Sequence, residues 1–213
     1  MNLDLAKSLV ATLPSNQAGL FNPYADRCGH DTPINTVESK LHRLALHLAC
    51  SPSFILVGEA PGYQGARTTG VAFTSERLLL EGAIPRIPVP AGRLCDRTLP
   101  FSEPSATIVW KALYRLGIAE TTVLWNALQM HPEGKSGVWS NRTPNDAELD
   151  IGRPAMLLLR QAFPQAQILA IGRKAEGLLS GMGIQTQGSL RHPANGGATQ
   201  FSQGLEAAIR SSR

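Results

Sequence analysis

The stretch FILVGEAPGYQGARTTGVAF, residues 54–73, decides the fold class. It begins with a short continuous apolar run, residues 54–57, which follows a Ser-Pro pair and ends at Gly58, as is typical of a strand buried on both faces of a sheet. Glycines, a proline, a carboxylate and an aromatic ring follow directly. Because ligands bind at the carboxyl ends of parallel strands, this stretch predicts a site beside a central strand.

Strand and helix patterns alternate through the rest of the chain. Further apolar runs are found at residues 121–128 and 167–172, with a weaker one ahead of residues 189–193. This alternation predicts an α/β fold, a three-layer α/β/α sandwich with a central, mostly parallel four-stranded sheet. Helical patterns cover residues 75–81, 105–116, 146–163 (with a kink or restart at Pro154) and 174–179.

The N-terminal quarter of the chain has two helical patterns of its own. Residues 1–13 form the first, and residues 32–50 contain the second, with Asn35 or Thr36 as its expected cap. We expect one domain over residues 1–213, with the helices of residues 1–50 packed on it. The proline-rich segment 82–100 is interpreted as an excursion, because strand and helix signals resume after it.

Composition restricts the class of protein only loosely. With 213 residues, 43% of them hydrophobic, the chain is long enough to bury a substantial core. The net charge of +4 permits an acidic partner such as nucleic acid without requiring one. Cys28, Cys50 and Cys95 are an odd number with no close pair, so the sequence indicates neither a disulfide framework nor a complete all-cysteine metal site. With no secretion-signal pattern and no bilayer-length apolar run, a soluble, monomeric, cytoplasmic protein is expected.

Three strand ends have polar residues suited to chemistry. GEAPG, residues 58–62, follows the first central strand, NALQMHP, residues 126–132, follows the second, and RHPANGG, residues 191–197, follows the last. Because parallel strands end at the same edge of a sheet, these segments are expected to meet in one site.

These segments, in this order, resemble the uracil-DNA glycosylase superfamily. VGEAPG is similar to the first motif of its iron-sulfur branch, family 4, whereas GARTTGVAFTSE, residues 65–76, resembles family 5. NALQMHPEGKSGVWSNRTPNDAEL, residues 126–149, is similar to the asparagine-bearing strand and the turn that follows it. SLRHPANGG, residues 189–197, is similar to the His-Pro-Ser/Ala loop. The resemblance covers about residues 54–197.

The resemblance implies catalytic roles for two or three side chains. Breaking an N-glycosidic bond creates positive charge on the sugar and negative charge on the departing base. Glu59 would orient a water molecule or stabilise the sugar cation, and His192 would hydrogen-bond the base oxygen on which charge develops. Glu76, which aligns with an acidic residue of family 5, is a second candidate for the water-orienting carboxylate.

The resemblance also implies how the substrate is held. The base would meet the backbone of Ala60 and Gly62, stack on Phe73 and pair through its edge with the amide of Asn126. The loop with the residues Arg191, Asn195 and Gly196 would contact DNA.

No metal or other cofactor is predicted. Family 4 holds its iron-sulfur cluster with four cysteines, but Met130 and Gly152 stand where two of them would fall, and Cys28 is the only plausible survivor. A zinc site made by Cys28, His30 and His131 is conceivable, but these residues lack paired ligand spacing.

The favoured function is a monofunctional DNA glycosylase for uracil or another deaminated base in base-excision repair, with DNA as its partner and no membrane. No lysine neighbours Glu59 or His192 in the sequence to form a Schiff base. Base preference stays open, because family 4 has an acidic pair where Gly65 and Ala66 stand, and family 1 has a tyrosine in place of Gly62. Two alternatives remain: a glycosylase-fold protein that binds nucleic acid or a nucleotide without cutting it, and a hydrolase that acts on a small nucleoside or another small ligand in the same pocket.

Overall fold

A computed structural model describes residues 1–211. Helices and strands alternate along most of this length, and a short 3-10 helix, Ala119–Thr121, leads into the second central strand. The helices are α1 Leu3–Val10, α2 Val37–His47, α3 Ala66–Thr69, α4 Glu76–Leu80, α5 Pro104–Arg115, α6 Asp146–Ile151, α7 Arg153–Ala162, α8 Arg173–Gly181 and α9 Ala198–Arg210. The strands are β1 Leu20–Phe21, β2 Phe54–Gly58, β3 Thr122–Asn126, β4 His131–Gly134, β5 Gly137–Asn141, β6 Gln167–Ile171 and β7 Gly188–Leu190.

The central sheet has four parallel strands in the order β3-β2-β6-β7. Strand β2 lies between β3 and β6 and is buried at every position, as its uninterrupted apolar sequence predicts. The crossover from β2 to β3 and that from β3 to β6 both contain helices, which parallel pairing requires. The predicted fold class is therefore confirmed.

Alternate residues of the central strands belong to two different cores. Ile55 and Val57 of β2 face one core, which also receives side chains from α1, α2, α7 and α8. Phe54 and Leu56 face the other, which is built with α4, α5 and α9. Because neighbouring strand residues point to opposite faces, this division places one helical layer on each side of the sheet.

The sequence patterns do not predict a second sheet, which is antiparallel. Strands β1, β4 and β5 pair in the order β1-β4-β5, and β4 and β5 form a hairpin within the asparagine-bearing segment. Strand β1 has two residues and β5 is mostly exposed, so neither shows the apolar alternation by which a strand is recognised. The C-terminal helix α9 is a further element that the sequence analysis leaves out.

Helix boundaries follow the predicted signals closely. Thr36 caps α2, since its side chain accepts a hydrogen bond from the amide of Ser39 at 3.1 Å. Pro154 marks a restart, because α6 ends at Ile151 and α7 begins at Arg153. Within residues 1–211, no helix is long and apolar enough to cross a membrane.

Candidate active site

The register of the central sheet brings three strand ends to one edge. Gly58 of β2 is level with Asn126 of β3, and the last residue of β6 is level with Leu190 of β7. Glu59 and His192 leave the sheet just beyond these positions. A pocket opens at this edge, and its lining residues are Glu59, Ala60, Pro61, Gly62, Ala66, Phe73, Glu103, Asn126 and His192.

Phe73 is held against the end of β2 by its backbone. Its φ of +48° lies in the left-handed region, which is rare for a bulky side chain and is typical of functional sites. The carbonyl of Phe73 accepts a hydrogen bond from Nε1 of Trp110 at 2.9 Å. A Cβ on Gly58 would lie 2.6 Å from the ring of Phe73 and 3.0 Å from Oδ1 of Asn126. Glycine at 58 therefore lets the ring and the amide approach the strand end.

The loop that carries Glu59 is tied down by the hairpin segment. The carbonyl of Glu59 accepts from the amide of Leu128 at 3.0 Å, and the ring of buried His131 bonds through Nδ1 to the carbonyl of Pro61 at 2.8 Å. Oδ1 of Asn141 also accepts a hydrogen bond from the backbone amide of Tyr63, the residue after Gly62, at 3.0 Å. These bonds fix the amides of the loop before any ligand arrives.

The two predicted catalytic groups are partly removed from water. Burial raises the pKa of Glu59, while the nearby charge of Lys174 acts in the opposite direction. Burial lowers the pKa of His192, and the charge of Arg191 lowers it further, so this ring is neutral near pH 7. Its Nδ1 accepts a hydrogen bond from the amide of Ala194 at 3.2 Å, which leaves the proton of the neutral ring on Nε2. His192 is therefore a neutral donor beside Phe73, with ring centroids 6.4 Å apart.

Asn126 offers an unpaired amide to the pocket. It is 6% exposed, and its main-chain carbonyl accepts from the side chain of Gln129. Within residues 1–211 its own side-chain amide has no hydrogen-bond partner. An amide in this position can pair with a ligand that supplies both a donor and an acceptor.

Glu76 does not reach the pocket. Its buried carboxylate is paired with Arg93, whose Nε lies 2.7 Å from Oε1. The amides of Leu94, Cys95 and Phe101 donate to the same carboxylate at 2.7, 3.3 and 3.0 Å. Burial acts to raise the pKa of Glu76, but the bonds from Arg93, Leu94 and Phe101 outweigh it, so the net shift of the pKa is downward. Glu76 therefore anchors the excursion of residues 82–100, and this geometry favours a structural role over the orientation of water.

Glu103 lines the pocket without having been predicted from the sequence. It precedes Pro104 at the start of α5, where an acidic residue is normally interpreted as a helix cap. Instead of capping, its side chain turns toward the pocket, and burial raises its pKa to about 7. Only the tertiary structure shows this, because no local signal separates the two orientations.

The predicted DNA-contacting residues lie on the rim. Arg191, Asn195 and Gly196 are exposed, and Asn195 and Gly196 both have positive φ, 53° and 76°. A Cβ on Gly197 would lie 2.1 Å from the carbonyl of His192, so the loop turns back tightly on itself. An open groove of about 710 Å³, which is lined by Glu59 and Arg191 among others, leads to the pocket.

The residues present do not fit an iron-sulfur cluster. Met130, at one of the expected cysteine positions, is fully buried in the core. A Cβ on Gly152, at another, would lie 1.7 Å from the carbonyl oxygen of Ala127. The thiol of Cys28 instead accepts from the guanidinium of Arg67 at 3.3 Å. The absence of a cluster stays a prediction, and no chemistry is derived through one.

The three possible zinc ligands are also occupied elsewhere. His30 lies 3.1 Å from a carboxylate oxygen of Asp96, and His131 is bonded to the loop of Glu59. Burial lowers the pKa of His131 to about 4. Among the residues that the structure describes, no group of three or more His, Cys, Asp or Glu side chains is placed to hold a metal ion.

Comparisons with known proteins agree with this architecture. Residues 47–206 match the family model of the uracil DNA glycosylase superfamily. The crystal structure of wild-type SMUG2 from Pedobacter heparinus is similar over 97% of both chains, with a TM-score of 0.62 at 16% identity, which shows a shared fold. The wild-type UNG structure from Nitratifractor salsuginis matches 79% of this chain and 78% of its own, with a TM-score of 0.44 at 14% identity. None of the curated protein sequences matches this chain.

Proposed function

The chain belongs to the uracil-DNA glycosylase superfamily, and on this premise we propose that it is a monofunctional DNA glycosylase that hydrolyses the N-glycosidic bond of uracil or another deaminated base in DNA. The observation that carries the proposal is the meeting of three side chains from separate strand ends in one pocket. Glu59, Asn126 and His192 line it together, beside the ring of Phe73.

The reaction needs few groups, and each is present. Glu59, in its ionised form, stabilises the cationic sugar and accepts a proton from the attacking water. The C1′–N bond breaks with its electron pair going to the base, and the water oxygen forms the new bond to C1′. The neutral His192 donates from Nε2 to the base oxygen where negative charge develops. A neutral donor suits this task because it loses no proton of its own at working pH.

Base recognition follows from the remaining lining. Phe73 stacks on the extruded base, which contributes about 1–3 kcal/mol and tolerates different bases. Asn126 pairs with the base edge, and the loop of Ala60 and Gly62 closes the pocket with backbone. The exposed guanidinium of Arg191 lies at the rim, where it can meet a phosphate.

The deciding experiment is single-turnover release of base from oligonucleotides. Substrates carry uracil, hypoxanthine, xanthine or thymine, each single-stranded and opposite each partner base. Glu59→Gln is expected to slow release about 100-fold or more, and His192→Ala about 100- to 1,000-fold. Both variants should bind DNA with nearly the affinity of the parent protein, because the exposed rim residues Arg191, Asn195 and Gly196 are unchanged in them.

Glu120→Gln is the matched control, since the side chain of Glu120 is 74% exposed and lies just before β3, at the opposite end of this strand from the pocket residue Asn126. It should release base at the parent rate. No release from any substrate, with DNA still bound in a salt-dependent manner, would favour a protein that binds nucleic acid without cutting it. Release from free nucleosides without affinity for DNA would favour a small-molecule hydrolase.

Lys174 allows a test of whether the enzyme is monofunctional, that is, whether it leaves the DNA strand uncut. Its charge acts on Glu59, and its Nζ is 3.1 Å from a carboxylate oxygen of the exposed Asp146. A strand-cleaving glycosylase forms a Schiff base between an amine and the abasic sugar. Borohydride should therefore trap no protein on the DNA product. Trapping that Lys174→Met abolishes would show a lyase step and contradict the proposal.

A further inference from the structure

Aromatic side chains outside the pocket form a surface cluster that the proposed mechanism does not use. Tyr63 meets Phe101 edge to face at a centroid distance of 5.6 Å, and Phe101 meets Trp139 in the same way at 6.0 Å. The ring of Trp139 also lies 4.5 Å from that of His30. The guanidinium of Arg97 lies over the rings of Phe101 and Trp139. We call this set the aromatic platform: Tyr63, Phe101, Trp139 and Arg97.

The aromatic platform begins where the pocket ends. Gly62 lines the pocket, and Tyr63 is the next residue. Oδ1 of Asn141 accepts from the amide of Tyr63 at 3.0 Å, and Asn141 ends β5 two residues after Trp139. Because residues two apart on a strand share a face, the side chain that holds the pocket loop and the ring of Trp139 lie on the same side of the hairpin. A DNA strand whose extruded base enters the pocket therefore has the platform beside it.

Trp139 is held in place and is nevertheless open to solvent. Phe101 is 2% exposed and forms the floor of the platform, whereas Trp139 is 39% exposed. The register of the hairpin shifts between Glu133 and Gly134, an irregularity of the kind that redirects side chains at a sheet edge. A large ring whose orientation is already fixed loses little conformational freedom when a second flat ring stacks on it. Trp139 is therefore prepared for a stacking partner.

The charge of the platform suits an anionic partner. The guanidinium carbon of Arg97 lies 4.3 Å from the ring centroid of Phe101 and 5.7 Å from that of Trp139. Its Nη1 donates to a backbone carbonyl at 3.4 Å, and Arg97 forms no ion pair within residues 1–211. The neighbouring carboxylate of Asp96 lies instead 3.1 Å from Nδ1 of His30. A free cation among exposed rings matches a strand of unpaired nucleotides, because the bases stack on the rings while the phosphates meet the cation.

We propose that the aromatic platform is a second nucleobase site, where Trp139 stacks on an unpaired base that flanks the extruded nucleotide on the same DNA strand and Arg97 meets the adjoining phosphate. The proposal rests on the glycosylase function proposed above. Every base has a π-face, so this site takes an undamaged base of any sequence. In an intact duplex the neighbouring base pairs cover both faces of a base, so the site requires a flank that is single-stranded.

Tryptophan fluorescence reports on the platform selectively. The chain has three tryptophans, and Trp110 and Trp125 are each 2% exposed, so a base can reach Trp139 alone among them. An undamaged oligothymidylate should therefore quench the emission, whereas an oligomer of abasic residues with the same number of phosphates should quench it far less. A duplex of the same length should also quench weakly, because its bases are paired and stacked. Trp139→Phe should remove the DNA-dependent signal and keep most of the affinity, since phenylalanine still stacks.

Affinity measurements supply a second readout and locate the site along the strand. The oligonucleotides carry 2′-fluoro-2′-deoxyuridine, which resists cleavage, and abasic residues at all other positions except one. Restoring a base at successive flanking positions should raise the affinity about 5- to 150-fold at one of them. Trp139→Ala should remove this gain, and Arg97→Gln should weaken binding of the whole series and lower its dependence on salt. Leu157→Ala is the matched control, because Leu157 is an apolar side chain on α7 that is 44% exposed, and it should reproduce the parent affinities.

The outcomes separate this proposal from the one on which it rests. If the parent protein releases uracil, but the abasic oligomer quenches as well as oligothymidylate or no flanking base depends on Trp139, the glycosylase function stands and the second base site is refuted. If no oligonucleotide binds, both proposals are refuted. An emission that changes with protein concentration and not with DNA would show a second copy of the chain on this surface, which also overturns the base site. If Trp139→Ala does not fold, the comparison of oligothymidylate with the abasic oligomer on the parent protein decides.

Discussion

Replacing Glu103 with glutamine should change how the stability of the protein depends on pH. The pKa of this carboxyl group rises from an ordinary 4.5 to about 7 in the folded protein, because it is buried. A raised pKa means that the folded state binds more protons than the unfolded state between these two values. The free energy of unfolding therefore falls as pH rises through this window, and the full loss is present above pH 7.

The size of the effect follows from the shift. A shift from 4.5 to about 7 corresponds to about 3 kcal/mol, and we expect roughly 2 to 3 kcal/mol because the residue keeps some exposure. Glu103→Gln has no proton to lose, so its stability lacks this decline. The difference in unfolding free energy between variant and parent should grow in favour of the variant by that amount between pH 4.5 and pH 8.

Urea unfolding followed by circular dichroism at half-unit pH intervals measures this difference. Other titrating groups, including His131 with its pKa near 4, contribute equally to both proteins and cancel in the subtraction. Two parallel curves, with a difference constant to within about 0.5 kcal/mol, would show that Glu103 is ionised at little cost. That result would refute the reasoning about its neutral form, whatever the enzyme does to DNA.

Three further substitutions test other parts of the structure. Glu76→Gln should lower the free energy of unfolding by about 3 kcal/mol or more in urea titrations, because it leaves Arg93 and several amides facing a neutral group; a change under about 1 kcal/mol would argue against an anchoring role. Gly152→Ala should lower the melting temperature strongly, since its Cβ would overlap a backbone carbonyl, whereas Gly177→Ala, in an open stretch of α8, should keep or raise it; equal effects would refute the steric argument. Phe73→Leu should weaken binding of the 2′-fluorouridine oligonucleotide by about 5- to 150-fold through lost stacking, and unchanged affinity would place the base elsewhere.

Much of the candidate site could be inferred from the sequence because parallel strands all end at the same edge. Once the apolar runs of β2 and β3 and the weaker run of β7 are recognised, the residues at the ends of these strands must converge. Glu59, Asn126 and His192 are found together for this reason. Phe73 is farther along the chain from the end of β2. Its left-handed backbone brings its ring to the same pocket, and this conformation cannot be predicted from the sequence.

The two remaining carboxylates show what local patterns leave open. Glu76 and Glu103 both stand at the start of a helix, and nothing near either in sequence separates a structural acid from a site acid. The role of each carboxylate depends on the groups that the fold places next to it. Glu76 meets Arg93 and three backbone amides. Glu103 lies against Gly65, and its Oε2 has no hydrogen-bond partner among the described residues.

The sequence by itself determined the sheet, its two helical layers and the edge at which chemistry occurs, since apolar periodicity and strand ends are local properties of the chain. Only the tertiary structure decided which acids keep a free oxygen, because the solvation and pairing of a carboxyl group depend on segments distant in sequence. For that reason Glu76 is paired at both oxygens, whereas Oε2 of Glu103 is buried without a partner.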